Sequence, residues 1–207
     1  MLMSGLDPSL VTFVLDSLPA PPARVLEVGA GEGELARYLV GCGYDVVAID
    51  PASSGRCVHA VPLHELNAAP ASFDAAVAVV SLHHVQPLAE SCRHLASLVR
   101  PEGTLVIDEF DIERLDLNAA RWWLAQRPAI DHDRPTPEGI VSGLREHLHP
   151  LSRIRGLLEQ WFEFSTTDRC PYLYRWQLRA DFRAAEEREI ELGRIPATGA
   201  RVVGRRR

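Results

Sequence analysis

The stretch Val25-Leu26-Glu27-Val28-Gly29-Ala30-Gly31-Glu32-Gly33 decides how this chain is read. A short strand over Arg24–Val28 runs into glycines at alternate positions. A helix is expected straight after it, Glu34 to Val40, with Leu35 and Leu39 on one side. Glycine here lets the backbone turn sharply and lets a ligand approach the main chain with no Cβ in the way. A dinucleotide site would want G-x-G-x-x-G, and counting from Gly29 its third glycine falls on Glu34. Glu27, Glu32 and Glu34 also surround the loop with carboxylates. Those repel a pyrophosphate and suit a ligand bearing cationic groups, an ammonium or a sulfonium.

Outward from the loop, Tyr44–Ile49 reads as a second strand, apolar and buried on both faces. Asp50 ends it, and an acid at that place in a nucleotide-binding α/β fold accepts hydrogen bonds from ribose hydroxyls. Further strands are expected at Val58–Leu63, Ala75–Val80 and Thr104–Asp108. A helix is expected over Pro87–Arg100, with Leu88, Cys92, Leu95 and Val99 as its apolar stripe. Strands alternating with helices over residues 24–108 predict an α/β fold: a parallel sheet, helices on both faces, right-handed crossovers. Ligands in such sheets bind outside the C-terminal strand ends. Chemistry is therefore expected at Val28–Gly33, Asp50, His64–Glu65, Ser81–His84 and Asp108–Glu109.

Four segments in order carry a family resemblance. Val25–Leu39 resembles motif I of the class I S-adenosylmethionine-dependent methyltransferases, and Val46–Asp50 their second motif. Ser72-Phe73-Asp74 followed by Ala75–Val80 and Ser81-Leu82-His83-His84 resembles their "sFD…LhH" segment. Leu98-Val99-Arg100-Pro101-Glu102-Gly103-Thr104-Leu105 resembles "LkPGG-L". The resemblance implies a Rossmann-like fold with a mostly parallel seven-stranded sheet, S-adenosyl-L-methionine as cofactor and S-adenosyl-L-homocysteine as product. It implies that Glu27 acts on the cofactor's ammonium and that Gly29, Ala30, Gly31 and Gly33 form the loop passing close to it. Asp50 then binds the ribose diol, Pro51 packs on the adenine, and Ser81 and Leu82 lie beside the methionine part. The family often has an Asp near the adenine amino group. Here the matching stretch is His64-Glu65-Leu66-Asn67, and Glu65 stands in as the candidate.

Methyl transfer is an in-line displacement that sometimes needs a proton removed from the acceptor. His83 and His84 are the candidate bases, a neutral imidazole being suited to that near pH 7. One of the pair is expected to pack structurally. His83, His84, Cys92 and His94 match no standard zinc-ligand spacing, so no metal site is expected. Asp108-Glu109 reads equally as an acceptor contact or a solvated strand end. The aromatics Trp122, Trp123, Trp161, Tyr172, Tyr174 and Trp176 read equally as pocket lining or as helix anchors.

The second half is less regular. Helices are expected over residues 116–127, Ile140–Leu148, Ser152–Trp161 and Trp176–Leu192, the last as a solvated face with Glu186 among its charges. A loop is expected over 128–137, and strands at Phe162–Thr166 and Ala200–Val203. The family commonly joins its last two strands by a hairpin, whereas here a long segment separates them. The chain reads as one methyltransferase domain, 1–207. It comprises an N-terminal helix and proline-rich lead-in (1–23), a cofactor-binding core (24–108) and a C-terminal part capping the acceptor site (109–207).

Composition bounds the function. The 207 residues are 46% hydrophobic and 24% charged with a net charge of −6, which argues against a broad nucleic-acid footprint. Arg205-Arg206-Arg207 is the basic exception and reads as a solvated, frayed terminus. No apolar run reaches bilayer-spanning length, and the N-terminus lacks the basic start of a signal peptide. Cys42, Cys57, Cys92 and Cys170 form no CxxC pair, which suits reduced thiols and a cytoplasmic location. The chain has no lysine, which excludes a short-chain oxidoreductase with its Tyr-x-x-x-Lys pair. The expected partner is a small-molecule methyl acceptor with an O, N or C nucleophile. A module that binds the cofactor without catalysis is the alternative. The [DN]-P-P-[YF] element typical of amine and nucleobase methylators is missing.

Overall fold

The computed structural model describes residues 6–127, 135–176, 178 and 180–207. Helix α1, Pro8–Ser17, starts where the Asp7 carboxylate accepts the amides of Ser9 and Leu10 and Pro8 fills the first turn. It leads to β1 (Arg24–Val28), α2 (Glu34–Gly41), β2 (Asp45–Ile49), β3 (Phe73–Val79), α3 (Leu88–Leu98) and β4 (Val99–Phe110). Beyond these lie α4 (Leu117–Gln126), α5 (Pro137–His147), α6 (Leu151–Leu158), β5 (Phe162–Phe164), β6 (Asp168–Cys170), α7 (Arg183–Glu191) and β7 (Gly199–Arg206).

The strands form a seven-stranded sheet in the order β2-β1-β3-β4-β7-β5, with β6 also on β7. β1 pairs in parallel with β2 and β3, and β3 with β4, while β4, β5 and β6 each run antiparallel to β7. Six strands thus share one direction and β7 alone opposes them: the sheet is mostly parallel. Alternation along β1 feeds two cores. Leu26 and Val28 join α3 and α6 on one face, and Val25 joins α1 and α2 on the other. A third apolar cluster, from Phe110 to Ile195, packs α4 and α5 over the end of β4.

Several expectations are corrected. Val58–Leu63 forms no strand. Only His59 bridges to Ile49, and the chain then enters a 3-10 turn at Leu63–Glu65. Pro62, which has no N–H for a ladder, stands where the pairing would continue. The sheet reaches seven strands instead through the three-residue β6. The helix expected over Trp176–Leu192 shortens to α7. Upstream, Leu173–Arg175 is a 3-10 turn, and the Trp176 ring stacks on Trp123 at 3.8 Å while its carbonyl accepts the Trp123 indole N–H. Those tertiary contacts override the helical propensity around Trp176. Glu186 is not on a solvated face: it is fully buried and accepts the amides of Tyr172, Leu173 and Tyr174. The C-terminal arginines are not frayed either. Arg206 donates to the carbonyls of Ala96 and Trp161, and Arg205 pairs with Glu102. Of the loop expected over 128–137, residues 128–134 lie outside the described residues, and Pro137 already opens α5.

Candidate cofactor cleft and active site

A cleft of about 510 Å³ opens at the C-terminal ends of β1, β2 and β3. Of the residues singled out from sequence, Gly29, Asp50, Pro51, Ser81 and His84 line it. The loop is anchored from behind, where the amides of Gly29 and Ala30 both donate to the Ile49 carbonyl at 2.9 and 3.0 Å. Gly29 has φ +71°, and a Cβ there would meet the Ser81 Cβ at 2.2 Å, so no other residue fits. Gly31, with φ +54°, has nothing within 4 Å of a would-be Cβ. Its bare backbone faces open space, where a ligand can approach. The Gly31 amide donates to Asp50 Oδ2 at 2.9 Å and the Ala52 amide to Asp50 Oδ1 at 2.8 Å. A carboxylate has about four lone-pair sites, so Asp50 keeps capacity for two hydroxyls.

Opposite the loop, the turn Ser81–His83 is held by a buried carboxylate. Glu109 Oε1 accepts the amides of Ser81 and Leu82 at 2.8 and 2.6 Å, and Oε2 contacts His83 Nδ1 at 2.5 Å. The Phe110 amide adds a contact at 3.2 Å. The reading of Asp108-Glu109 as a solvated strand end does not survive, because both side chains are buried. Nothing in the local pattern singled out Glu109 as the clamp, although a carboxylate inside the apolar run Leu105–Phe110 needs a partner. His83 is consumed by this contact and by its burial. His84 instead lies at the cleft, with its ring 4.2 Å from that of His83. Burial, and then the neighbouring His83, lower the His84 pKa, which favours its neutral imidazole form.

Three candidates sit elsewhere. Leu82 is wholly in the core, contributing only its amide to Glu109. Glu65 is 65% exposed, pairs with His64 at 3.5 Å and does not line the cleft. Val61, Pro62 and Leu63 do so instead. Glu27 is buried behind the glycine loop, bonded to the Ala36 amide in the first turn of α2. Gly33 caps that helix without a side chain, so Glu27 supplies an acceptor the cap lacks. Burial pushes its pKa up to about 8, with the Ala36 hydrogen bond and Arg37 opposing.

A stability prediction follows from that shift. Below the unfolded value near 4.5 both states hold the proton. As pH rises to 8 the unfolded chain ionises while the fold keeps Glu27 neutral, so folding loses stability. Glu27→Gln removes this loss. Its advantage over the unaltered chain should grow by roughly 3–4 kcal/mol from pH 5 to pH 8. Thermal unfolding across that range checks it, and a pH-independent gap would refute it.

The residues present fit an adenosyl amino acid. The cleft volume lies within the range of small-ligand sites. Asp50 has acceptor capacity to spare, and Ser81 Oγ, of a residue lining the cleft, is buried with no hydrogen-bond partner. A glycine cradle at the end of β1, an acid ending β2 and a mostly parallel seven-stranded sheet together define the class: a Rossmann-like nucleoside-binding α/β domain.

A methyltransferase domain family model matches residues 6–138. The chain belongs to the class I S-adenosylmethionine-dependent methyltransferases. It is 32% identical over 122 residues to the ubiquinone biosynthesis O-methyltransferase of Xanthomonas campestris pv. campestris, covering 51% of this chain and 50% of that protein. The chain thus spans about half the length of the curated relatives it matches. Among solved structures, an S-adenosylmethionine-dependent methyltransferase of Mesorhizobium loti superposes with a TM-score of 0.63 at 18% identity, covering 99% of this chain and 100% of that one. The 1,6-didemethyltoxoflavin-N1-methyltransferase of Burkholderia thailandensis, solved with 1,6-didemethyltoxoflavin and S-adenosylhomocysteine, gives 0.55 at 20% identity, covering 96% and 75%. At these identities the structural likeness speaks for the fold.

Proposed function

We propose that this chain transfers a methyl group from S-adenosylmethionine to a small-molecule O, N or C nucleophile, with Gly29, Gly31, Asp50, Pro51 and Ser81 holding the cofactor. The observation that carries this is the Asp50 carboxylate docked on the Gly31 amide at the mouth of the cleft, with Ser81 and His84 in the same lining. The small acceptor of the Burkholderia enzyme supports the substrate class.

When bound, S-adenosylmethionine would supply an electrophilic methyl group carried on a sulfonium. The protein's part is alignment and proton handling. Gly31 would give the cofactor bare backbone and Asp50 would hold its ribose. Glu109 holds the Ser81 turn in place. The neutral imidazole of His84 takes the acceptor's proton where one must leave.

Calorimetric titration with S-adenosylhomocysteine tests the cofactor, and an acceptor screen reading S-adenosylhomocysteine formation tests turnover. No binding by folded protein would sink the reading. Binding with no turnover on any acceptor would favour the non-catalytic module. With a turned-over acceptor that loses a proton, His84→Ala should lower kcat about 100-fold at pH 7.5. An unchanged kcat would remove His84 from the chemistry.

A further inference from the structure

Glu65 does not line the cofactor cleft, so the acid expected to meet the adenine amino group is missing from it. Among the described residues of the lining, the polar side chains are Asp50, Ser81, His84 and Gln86. The first three have their places: Asp50 at the ribose, Ser81 and His84 at the methyl end, with Ser81 against Gly29. Gln86 has none so far.

Its setting suits a flat, largely apolar ring with one polar edge. The Asp50 amide donates to the His59 carbonyl at 3.1 Å, so the segment leading on to Val61 runs beside the strand end that would hold the ribose. Val61, Pro62, Leu63 and Val85 form an apolar wall of the cleft, and Val61 and Val85 pack against the same core cluster, to which Leu63 belongs. Gln86 follows Val85 directly, at the exposed rim of that wall, where a bound base can reach it.

The Gln86 amide is also oriented. Its Nε2 lies 2.9 Å from His149 Nε2, and no described residue donates to its Oε1. His149 is tied to the same turn: its backbone amide donates to the His83 carbonyl at 2.9 Å, and its Nε2 lies 3.1 Å from the Val85 carbonyl. With its proton on Nδ1, the imidazole accepts the Gln86 N–H, and Oε1 is left as a bare acceptor. That hold matters, because a free glutamine amide can turn over and offer either a donor or an acceptor.

We propose that Gln86 reads the adenine of the cofactor, its Oε1 accepting an N–H of the 6-amino group, and that His149 is the positioning residue that keeps the amide turned that way. The inference rests on the S-adenosylmethionine reading above. A 6-oxo base presents an acceptor where adenine presents a donor, so it would leave Oε1 facing another oxygen.

The test titrates the full chain calorimetrically with S-adenosylhomocysteine and with S-inosylhomocysteine, its 6-oxo analogue. The adenosyl compound should bind at least about tenfold more tightly, as a glutamine–adenine pair discriminates. Gln86→Leu, which keeps the bulk of the side chain, should weaken the adenosyl compound about tenfold and bring the two to nearly equal affinity. His149→Phe should narrow the preference from the other side, by tightening the inosyl compound, because a released amide turns its N–H to the 6-oxygen. Equal affinities in the unaltered chain, a preference for the inosyl compound, or a preference unchanged by either substitution would each overturn the proposal. Should Gln86→Leu misfold, His149→Phe still decides, since a purely structural role predicts no gain for the inosyl compound. Binding of neither compound by folded, unaltered chain would overturn the methyl-transfer reading itself, so the two failures are told apart.

Discussion

Asp50→Ala should weaken S-adenosylhomocysteine binding about a thousandfold, a loss of about 4 kcal/mol. Two contributions add. The substitution removes two charge-assisted hydrogen bonds to a ribose diol, each contributing about 1.5–3 kcal/mol. It also frees the Gly31 and Ala52 amides that the carboxylate now holds, so the glycine loop loses the tie that presents its bare backbone to the cleft. Asp50→Asn should fall in between, because an amide keeps one acceptor oxygen. Thermal stability should change little, since Asp50 is only half-buried and both amides can reach water. Binding within tenfold of the unaltered chain would mean that the ligand's hydroxyls lie elsewhere and that the strand-end acid is only a turn residue.

Glu109→Leu should destabilise the fold by about 4 kcal/mol, read by denaturant unfolding. Glu109 is completely buried and satisfies the amides of Ser81, Leu82 and Phe110 together with the His83 ring. An apolar side chain of similar volume leaves those donors unpaired in a dry interior, each at a cost of about 1–3 kcal/mol before relaxation. Cofactor affinity should fall as well, because the Ser81 turn packs on Gly29 with no room to shift. Glu109→Gln keeps one acceptor oxygen and should lose less. A midpoint unchanged from the unaltered chain would show that the turn holds itself.

The core of the fold was legible because its signals are local. Glycines at 29, 31 and 33 after an apolar strand, and an acid at the end of the next, specify backbone shape and ligand chemistry within a few residues. Val58–Leu63 shows the apolar pattern of a strand at the sheet edge, but Pro62 removes the N–H that pairing there would need. The helical charge spacing of Arg183–Glu191 does not reach Trp176, which the Trp123 stack holds outside the helix. Glu186 shows the same limit: its i,i+4 surroundings match a solvated face, yet its carboxylate is buried on amides 12 to 14 residues away.

By itself the sequence determined the class of sheet, the glycine loop and Asp50, because those depend on residue type and short spacing. Only the tertiary structure decided which of His83 and His84 reaches the cleft. It alone revealed that Glu109 fixes the turn at Ser81–His83 and that Glu186 fixes the turn at Tyr172–Tyr174. Each of those depends on which side chain meets which across 12 or more residues of chain. That is settled by packing and by the high cost of leaving a buried charge or donor unpaired, which no local pattern records.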